Sequence, residues 1–407
     1  MNIIRILIPA LLIFLLDYYA FQAIKTVSGN WSQLTRNIVY SIYWLVPILA
    51  IGMMTAGAYG WLEGLNKTTY TFLRSFLTIA YVAKIPMVAL LLVDDLRRLF
   101  VFGQEQFSET SKYSKSRSEF LATTGIILGA LPFVTLIYGI IRNRYRYKIF
   151  HETVKMDNLP ESLKGLKIVQ ISDIHSGSFD QIDPVKKAVD LINQEEADLV
   201  FFTGDLVNSI AAEMTNYIDV FSKIKAKKGV FSVLGNHDYG DYHNWSSVEE
   251  KKANLDTLKG IHRQMGWDLL LNENRILEIN QEKFAVIGVE NYSASAHFPK
   301  YGDLKKAYQG AENMPLKLLL SHDPSHWENQ ILDTDIDMTF SGHTHGMQFG
   351  IEIPGWFKWS PVKYAYKQWA GLYQTGKQYL YVNRGLGFLG YPGRVGILPE
   401  ITVIELA

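Results

Sequence analysis

The sequence predicts an α-helical membrane region followed by a separate α/β domain, and three observations support this division. Four long apolar stretches occupy the first third of the chain, whereas short β-rich runs alternate with amphipathic stretches after about residue 150. Residues 1–150 hold 15 Lys and Arg against 7 Asp and Glu, and the remaining residues hold 25 against 33. All ten histidines also follow residue 150. We therefore expect a membrane region over 1–146 and a second domain over 147–407.

The four apolar stretches are the basis for the membrane prediction. They run roughly over Ile3–Ile24, Ile38–Trp61, Tyr70–Val93 and Phe120–Ile141. Each approaches or exceeds the ~20 residues that a helix needs to cross a hydrocarbon layer ~30 Å thick. A signal peptide would explain only the first stretch, and a soluble helical core would show polar faces that these stretches largely lack. The sequence thus predicts an integral membrane protein with four transmembrane helices.

The orientation in the membrane rests on one basic cluster. Basic residues around the four spans divide evenly between the two sides of the membrane. The segment "RNRYRYK" directly after the fourth span favours a cytoplasmic second domain, because basic residues close to a span end weigh most. We expect a bacterial inner-membrane protein with this orientation.

Two polar features of the membrane region need an explanation. Lys84 lies near mid-depth of the third span, where a charge is costly and is usually paired. Asp17 of the first span is a candidate partner, and a shifted helix or a lysine that snorkels to the interface is the alternative. The segment "GQEQFSETSKYSKSRSE" between the third and fourth spans is polar and is predicted to be mobile.

Five short apolar runs of the second domain end in a chemically active side chain. They are "LKIVQIS" before Asp173 and His175, "ADLVFFTG" before Asp205, "GVFSVLG" before Asn236 and His237, "LKLLLS" before His322, and "DMTFSG" before His343 and His345. Any one of them is explained by a turn or a helix cap. Five strands that end in this way predict a set of ligands gathered along one edge of a sheet.

The same motifs carry a family resemblance. The series "SDIH", "TGDLVN", "LGNHD", "SHDP" and "SGHTHG" resembles the calcineurin-like metallophosphoesterases, from about residue 165 to the end. The closing "VNRGLGFLGYPGRVGILPEITVIEL" and the preceding apolar segments are similar to the bacterial membrane-associated branch of that superfamily. The resemblance implies a four-layer α-β-β-α sandwich, in which helices flank two facing β-sheets and metals lie where the motif loops meet.

The resemblance also implies a ligand set for two divalent metal ions. The first ion would be held by Asp173, His175 and His345, the second by Asn236, His322 and His343, and Asp205 would bridge both. Imidazole and carboxylate ligands in a chain without cysteine suit Mn, Fe or Zn, and two such ions can clamp a phosphoryl group and activate a shared water. In an extended backbone residues i and i+2 point to the same face, which would let His343 and His345 serve neighbouring metals.

Three further residues are predicted to support catalysis. By the same resemblance His237 would protonate or stabilise the leaving oxygen, and Asp238 of the same motif joins it in the catalytic set. In many relatives the position of Asn208 is acidic and supports the catalytic histidine, so a neutral amide here would orient His237 without raising its pKa. A second departure is Met347 after "GHTHG", where a glycine is common, and we expect an adjusted loop there.

These features favour a membrane-anchored phosphoesterase that cleaves phosphodiester or pyrophosphate bonds, with a lipid-linked substrate as the leading expectation. UDP-diacylglucosamine pyrophosphatases belong to the same superfamily. A tethered phosphodiesterase for soluble substrates, or a catalytically weak sensor that retains the metal site, are the alternatives. The insertion "PGWFKWSPVKYAYKQW" suits either a membrane interface or packing on the domain. Nucleic acid is not expected as a partner, since the second domain is net negative.

Overall fold

A computed structural model describes residues 4–62, 64–105, 115–353 and 355–407. The chain divides into two compact units, Met1–Tyr138 and Gly139–Ala407. We call them the helical unit and the α/β unit.

The helical unit contains the four helices that the apolar stretches predict. They are α1 (Ile4–Val27), α2 (Gln33–Ala58), α3 (Lys67–Glu105) and α4 (Lys115–Tyr138). All four are long and apolar enough to cross a membrane. Many of their large apolar side chains are exposed, as expected of helices that face lipid. The predicted membrane region is therefore confirmed as an all-α unit.

Helices α3 and α4 extend into the polar segment between the third and fourth spans. At 39 residues α3 would be about 58 Å long, well beyond the ~30 Å of a hydrocarbon core. Residues 103–105 belong to this helix and residues 115–119 begin α4, so both ends of the segment are helical, and its mobility stays a prediction. The central residues 106–114 lie outside the described part of the chain.

Lys84 is paired inside the helical unit. Its Nζ contacts Asp17 Oδ1, and both side chains are buried. The hydroxyl of Tyr81 donates to Asp17 Oδ2 at 2.8 Å, and that of Tyr43 donates to the Asp17 carbonyl at 2.7 Å. The predicted partner is thus confirmed, and the aromatic rings of Tyr43 and Tyr81 lie within 5.1 Å and 4.2 Å of the ammonium group.

The α/β unit begins with a π-helical turn at Gly139–Asn143 and contains fourteen strands and five helices among its described residues. The strands are β1 (Lys148–Val154), β2 (Lys167–Ile171), β3 (Leu199–Phe202), β4 (Val230–Ser232), β5 (Asp268–Leu269), β6 (Glu273–Ile279), β7 (Glu282–Gly288), β8 (Lys317–Leu320), β9 (Met338–Ser341), β10 (Ile351–Ile353), β11 (Phe357–Trp359), β12 (Gly371–Thr375), β13 (Gln378–Val382) and β14 (Glu400–Leu406). The helices are α5 (Ile182–Gln194), α6 (Ile218–Phe221), α7 (Val248–Gln264), α8 (Leu304–Tyr308) and α9 (Ser325–Asn329).

Two six-stranded sheets form the centre of this unit. The first has the order β1-β14-β2-β3-β4-β5 and the second the order β12-β13-β9-β8-β7-β6, while β10 and β11 form a separate hairpin. The strands β2, β3 and β4 run parallel in the first sheet, and β7, β8 and β9 run parallel in the second. These strands read as continuous apolar runs because both of their faces are buried.

Apolar packing on both faces of each sheet produces four layers. One core joins the inner faces of the two sheets, and two further cores join each outer face to its helices. The inner core includes Ile168, Phe201, Phe231, Phe284, Leu318 and Phe340. The outer core of the first sheet includes Val200, Phe202, Val185, Phe221 and Leu258, and that of the second includes Ile287, Leu319, Leu304 and Trp327. The predicted α-β-β-α sandwich is confirmed.

All five predicted strands are present, but they do not share one sheet. Three of them, β2, β3 and β4, lie in the first sheet, and β8 and β9 lie in the second. The expectation of a single sheet edge was therefore wrong. The ligand-bearing loops instead meet between two facing sheets, because the inner core holds the strand ends of both sheets together.

Candidate metal centre

The loop after β2 delivers Asp173 and His175 in a tightly constrained backbone. Both residues have positive φ, 51° and 47°, a conformation that is uncommon for residues other than glycine. The amide of Asp173 donates to the Gly204 carbonyl at 2.9 Å and that of His175 donates to the Asp205 carbonyl at 3.1 Å. The two motif loops after β2 and β3 therefore position each other. Strain of this kind is typical of functional sites.

Glycines allow the motif loops to approach this closely. A Cβ on Gly204, whose φ is +98°, would lie 2.5 Å from the amide nitrogen of Gly235, and a Cβ on Gly342 would lie 1.9 Å from Ser172 Oγ. Real Cβ atoms do not tolerate such distances. The glycines of "TGD" and "SGH" are thus needed for packing around the site.

Four predicted ligands form one buried cluster. His175 Nε2 lies 3.0 Å from His345 Nε2 and 3.5 Å from Asp205 Oδ2, and His345 Nε2 lies 3.2 Å from Asp173 Oδ1. Ligand atoms of Asp173, His175 and His345 all lie within 4.8 Å of one another. The structure brings these side chains together as the ligand set for a first ion requires.

A second cluster shares Asp205 with the first. His322 Nε2 lies 3.2 Å from both Asp205 Oδ2 and Asn236 Oδ1. His343 Nδ1 lies 2.9 Å from Asn236 Oδ1 and 3.3 Å from His322 Nε2. The side chains predicted for a second ion thus also converge, and Asp205 lies between the two sets. Asp173, Asp205 and His322 form a further group with ligand atoms within 4.8 Å.

The chemistry of the clustered atoms fits cations. The Thr203 carbonyl accepts a hydrogen bond from His322 Nδ1 at 2.7 Å, which directs Nε2 of the same ring at Asp205 and Asn236. Asn236 donates its amide to Tyr242 at 2.9 Å, which directs its carbonyl oxygen at the two histidines. Carboxylate oxygens, an amide oxygen and imidazole nitrogens that face each other in a buried site are the ligands that divalent metals take. The donor set therefore fits two divalent ions.

The charges of this cluster shift the pKa values of its members. Burial raises the pKa of Asp205, but His322 and His237 outweigh burial and hold it well below its ordinary value. Burial would lower the pKa of His322, whereas Asp205 raises it to about 10. Burial lowers the pKa of His175 well below its ordinary value. The acid groups are thus ionised and His175 is neutral, as metal ligands require, whereas His322 carries a proton that a bound cation would displace.

The two histidines of "SGHTHG" do not use an extended backbone. The φ angles of His343 and His345 are 70° and 51°, in the left-handed region, and Thr344 lies between them in a right-handed conformation. The expected alternation in a strand was therefore wrong. The turn is closed because the amide of His343 donates to both carboxylate oxygens of Asp173 at 3.0 Å, so a ligand of the first cluster fixes the loop that carries a ligand of the second.

Two tyrosines that the sequence analysis did not single out hold ligands in place. The hydroxyl of Tyr366 lies 2.8 Å from His343 Nε2, on the side of the ring opposite to the cluster, and Asp323 Oδ2 lies 3.6 Å from the same nitrogen. Tyr242 binds Asn236 and packs its ring 4.4 Å from that of His237. Tyr242 lies in the segment "YGDYHNWSSVEEKKANLD" after the Asn236 motif, Tyr366 lies in the insertion "PGWFKWSPVKYAYKQW", and Asp323 directly follows a ligand. Their positions close to the motifs in sequence were the only signal from which these supporting roles could have been predicted.

His237 lies beside the cluster, half-buried, and its ring is fixed differently from the expectation. Its Nδ1 lies 2.7 Å from the backbone carbonyl of Asn208, while the Asn208 side chain exchanges hydrogen bonds with Ser178 Oγ. The prediction that the Asn208 amide orients His237 was therefore wrong. The same residue performs the task through its main chain, which any side chain at this position can supply. Nε2 remains as the free edge of the ring.

Asp238 does not face the cluster. Its carboxylate accepts hydrogen bonds from the amides of Asp205, Leu206, Val207 and Gly235, over distances of 2.8 to 3.3 Å. These bonds occupy both oxygens in a buried position. The structure therefore places Asp238 as a support for the loop that carries Asp205, and its carboxylate is directed at backbone amides instead of at the cluster.

The loop after His345 has a left-handed backbone at Met347, and the adjusted contour expected there stays a prediction. Met347 adopts φ 55°, a conformation that glycine accepts without strain, and its side chain is exposed. Gln348 follows with φ 54°, and its side-chain amide donates to the carbonyls of Tyr391 and Gly393 at 2.7 Å and 3.0 Å. These contacts hold the loop, and His345 keeps its place in the cluster.

Comparison with known proteins agrees with the two units. A family described as a probable calcineurin-like phosphoesterase transmembrane domain matches residues 2–144, and the calcineurin-like phosphoesterase family matches residues 166–347. A zebrafish (Danio rerio) transmembrane protein with a metallophosphoesterase domain is 28% identical over 76% of this chain and 69% of its own length. The metallophosphoesterase YkuE of Bacillus subtilis is 30% identical over 62% of this chain and 83% of its own.

A third relative is the phosphodiesterase YaeI of Escherichia coli, which is 28% identical over 59% of this chain and 82% of its own length. The matched regions include all the clustered ligands from Asp173 to His345. Together with the four apolar helices and the four-layer sandwich, these matches identify the chain as a membrane protein of the calcineurin-like phosphoesterase family.

Proposed function

We propose that the protein is a metal-dependent hydrolase of phosphodiester or pyrophosphate bonds and that its substrate is linked to lipid. One observation carries the hydrolase proposal. Seven nitrogen and oxygen ligands converge in two buried clusters that share Asp205, and the half-buried His237 lies at their edge. The phosphodiester class of substrate is supported by one relative, which is named a phosphodiesterase.

The proposed cofactors are two divalent ions, Mn, Fe or Zn. Asp173, His175 and His345 would hold the first ion, Asn236, His322 and His343 the second, and Asp205 both. When bound, such a pair supplies positive charge to phosphoryl oxygens and lowers the pKa of water. The protein's own contribution is to hold the seven ligand side chains together in a largely buried site.

His237 supplies the proton in this proposal. Its Nδ1 is fixed by the Asn208 carbonyl, so the proton that leaves the ring comes from Nε2. In the overall reaction water adds to phosphorus, one P–O ester bond breaks, and the leaving oxygen takes up a proton. The ring of Tyr242 packs against His237 and limits the orientations of its free edge.

The lipid-linked substrate is supported by the helical unit. The same chain carries four helices that can span a membrane, so its phosphoesterase domain works within reach of a bilayer. We further propose a bacterial inner-membrane location with a cytoplasmic domain, supported by exposed Arg142 and Arg146 after the fourth span. An impermeant maleimide should then fail to label a Lys377→Cys variant in intact cells and label it after lysis.

The test is hydrolysis of bis(p-nitrophenyl) phosphate by the full-length protein in detergent, with Mn²⁺ and with chelator. We expect metal-dependent turnover that His345→Ala reduces by about 10³-fold or more, because a ligand is lost. His151→Ala is the matched control, since this histidine is exposed and lies outside the clusters. Two bound metals without turnover would overturn the hydrolase proposal in favour of a sensor.

The lipid proposal is tested with the same preparation and detergent-dispersed lipid phosphodiesters and a nucleotide–lipid pyrophosphate. Turnover of soluble diesters without turnover of these lipids would overturn it. His237→Ala should reduce cleavage of lipid esters by about 10²-fold and that of p-nitrophenyl esters much less, because an alkoxide needs the proton and nitrophenolate does not. Equal losses for both leaving groups would remove His237 as the proton donor.

A further inference from the structure

The hairpin formed by β10 and β11 presents its apolar side to solvent. Its cross-strand pairs are Ile351 with Trp359 and Ile353 with Phe357, on one face, and Glu352 with Lys358, on the other. Ile351, Ile353 and Phe357 are exposed. A hairpin on a soluble domain usually turns its apolar face to the core, so this arrangement is inverted. We call Ile351–Trp359 the apolar hairpin.

The polar face of the apolar hairpin is fixed to the domain. Glu352 forms an ion pair with Arg384, which is itself buried, and Lys358 Nζ donates to the Ala370 carbonyl at 2.5 Å. The Lys358 ammonium also lies 4.7 Å from the ring centre of Tyr373. These contacts attach the polar pair to the domain, while the apolar side chains Ile351, Ile353 and Phe357 remain exposed.

The exposed apolar surface extends along the chain on both sides of the hairpin. Trp356 is 80% exposed and Tyr364 is 78% exposed. Seven large apolar side chains are exposed between residues 347 and 364, against five in all other described residues of 147–407. The seven are Met347, Phe349, Ile351, Ile353, Trp356, Phe357 and Tyr364. A concentration of this kind marks an interaction surface.

The base of the hairpin is tied to residues of the α/β unit that also belong to the fourth candidate span. The amide of Gly350 donates to the Val395 carbonyl at 2.9 Å. The neighbouring Arg394 donates its amide to the Gly139 carbonyl at 3.2 Å and accepts from Asn143 Nδ2 at 3.1 Å. Gly139 and Asn143 are residues of the α/β unit that also end the fourth candidate span, Lys115–Asn143. The hairpin therefore belongs to the edge of the domain that the span enters.

We propose that the apolar hairpin is an interfacial anchor that inserts into the headgroup region of the bilayer that the four helices span. Trp356 and Tyr364 are side chains that favour this region, and the exposed Lys363, whose Nζ lies 5.3 Å from the Tyr364 ring centre, matches anionic lipid headgroups. A bilayer suits the surface better than a second protein copy, because it lies at the covalent entry of the span.

If the protein has the proposed function, the anchor also affects how the metal centre meets its substrate. Ser360 Oγ, next to the hairpin, donates to the Gly346 carbonyl at 2.8 Å, and Thr344 Oγ1 donates to the Trp369 carbonyl at 2.7 Å. The loop of His343 and His345 is thus bonded to Ser360, directly after the apolar hairpin, and to Trp369, which follows further along the chain. Insertion of the hairpin would hold this loop close to the headgroups, where a lipid-linked phosphoester lies.

The absence of cysteine makes a direct depth measurement possible. The full-length protein would be prepared as two single-cysteine variants, Trp356→Cys and Lys377→Cys. Each variant would carry a fluorescent label on its cysteine and would be placed in nanodiscs that hold one protein molecule each. Lys377 lies exposed in the turn between β12 and β13 and is the matched control. Nitroxide-labelled lipid should quench position 356 at least about twofold more than position 377, and aqueous iodide should do the reverse.

The outcomes of the quenching experiment are decisive without any activity. Equal quenching by lipid at both positions would overturn the anchor. Shielding of position 356 from iodide without quenching by lipid would indicate protein contact and would also overturn it.

An activity measurement then separates the anchor from the lipid substrate. Trp356→Ser should lower turnover of a bilayer-embedded phosphodiester several-fold and leave bis(p-nitrophenyl) phosphate hydrolysis unchanged, since Trp356 lies outside the metal centre. If lipid quenches position 356 but no lipid is hydrolysed, the anchor stands and the proposed substrate falls. If soluble hydrolysis falls equally in Trp356→Ser, the role of the hairpin in lipid access is overturned.

Discussion

The helical unit and the α/β unit bury charged side chains in different ways. In the helical unit one acid meets one base, since Asp17 contacts Lys84 and accepts a further hydrogen bond from Tyr81. In the α/β unit two carboxylates and four imidazoles share one buried site, and His175 Nε2 lies 3.0 Å from His345 Nε2. The first arrangement pairs one charge with one counter-charge, whereas the second crowds several ligand atoms together.

The difference distinguishes buried charges that stabilise the fold from buried charges that serve chemistry. A buried charge without compensation costs several kcal/mol, so a fold retains such a cluster only if another component compensates it. The ion pair of the helical unit needs no such component and is explained by helix association. The crowding of ligand atoms around Asp205 is explained by cations, which also follow from the family.

The largest effect is expected from breaking the self-compensated pair. Lys84→Met leaves Asp17 buried without its counter-charge and should destabilise the helical unit by about 3–5 kcal/mol. The measurement is the midpoint of SDS unfolding of the full-length protein. The double variant Asp17→Asn, Lys84→Met removes both charges and should recover most of the loss.

A stable Lys84→Met protein would contradict the structural interpretation of the pair. If that variant were stable but lost activity on every substrate, the pair would belong to function and the contrast between the two units would fail. Arg74→Met is a suitable control, because this arginine is an exposed basic residue of the same helix.

The sequence was sufficient for the spans, the strands that carry ligands, and the partner of Lys84. These depend on apolar periodicity and on the cost of an unpaired charge, both of which are local or one-dimensional signals. The left-handed backbone of His343 and His345 was not predictable in this way. It depends on hydrogen bonds to Asp173, about 170 residues earlier in the chain.

The orientation of His237 shows a second limit of sequence reasoning. The motif position of Asn208 drew attention to its side chain, but its carbonyl makes the contact. A main-chain contact leaves no residue preference to detect. Tyr242 and Tyr366 lie in insertions without a motif, so only the folded loops reveal that they support ligands.

A buried histidine of the α/β unit offers a third case, in which the titratable group is buried neutral. Burial lowers the pKa of His262 to about 3. Below its ordinary pKa of 6.5 the unfolded chain binds a proton that the folded chain does not, so stability falls as the pH falls towards 3. Above pH 6.5 both states are neutral and the contribution vanishes.

The lowered pKa of His262 therefore predicts that the free energy of unfolding falls by roughly 2 kcal/mol between pH 7 and pH 5. His262→Gln removes the titration and should show a correspondingly smaller fall in unfolding free energy over that range, measured on the full-length protein in detergent. His326, whose pKa burial lowers to about 4, titrates in both proteins and cancels in the comparison. An identical pH dependence in the two proteins would contradict the assignment.

The smallest effect sharpens the metal side of the comparison. Tyr366→Phe removes the hydroxyl that lies 2.8 Å from His343 Nε2, but Asp323 Oδ2 remains 3.6 Å from the same nitrogen. We expect about tenfold weaker binding at one of two metal sites, near the lower limit for such supporting groups, measured by Zn²⁺ competition with a chromophoric chelator. Tyr364→Phe is the matched control, because Tyr364 lies two residues away and its side chain is 78% exposed. Equal weakening by the two substitutions would mean that Tyr366 acts on the insertion as a whole. Weaker binding at one site, in Tyr366→Phe alone, would mean that the His343 ring depends on a neutral neighbour to direct it at the cation.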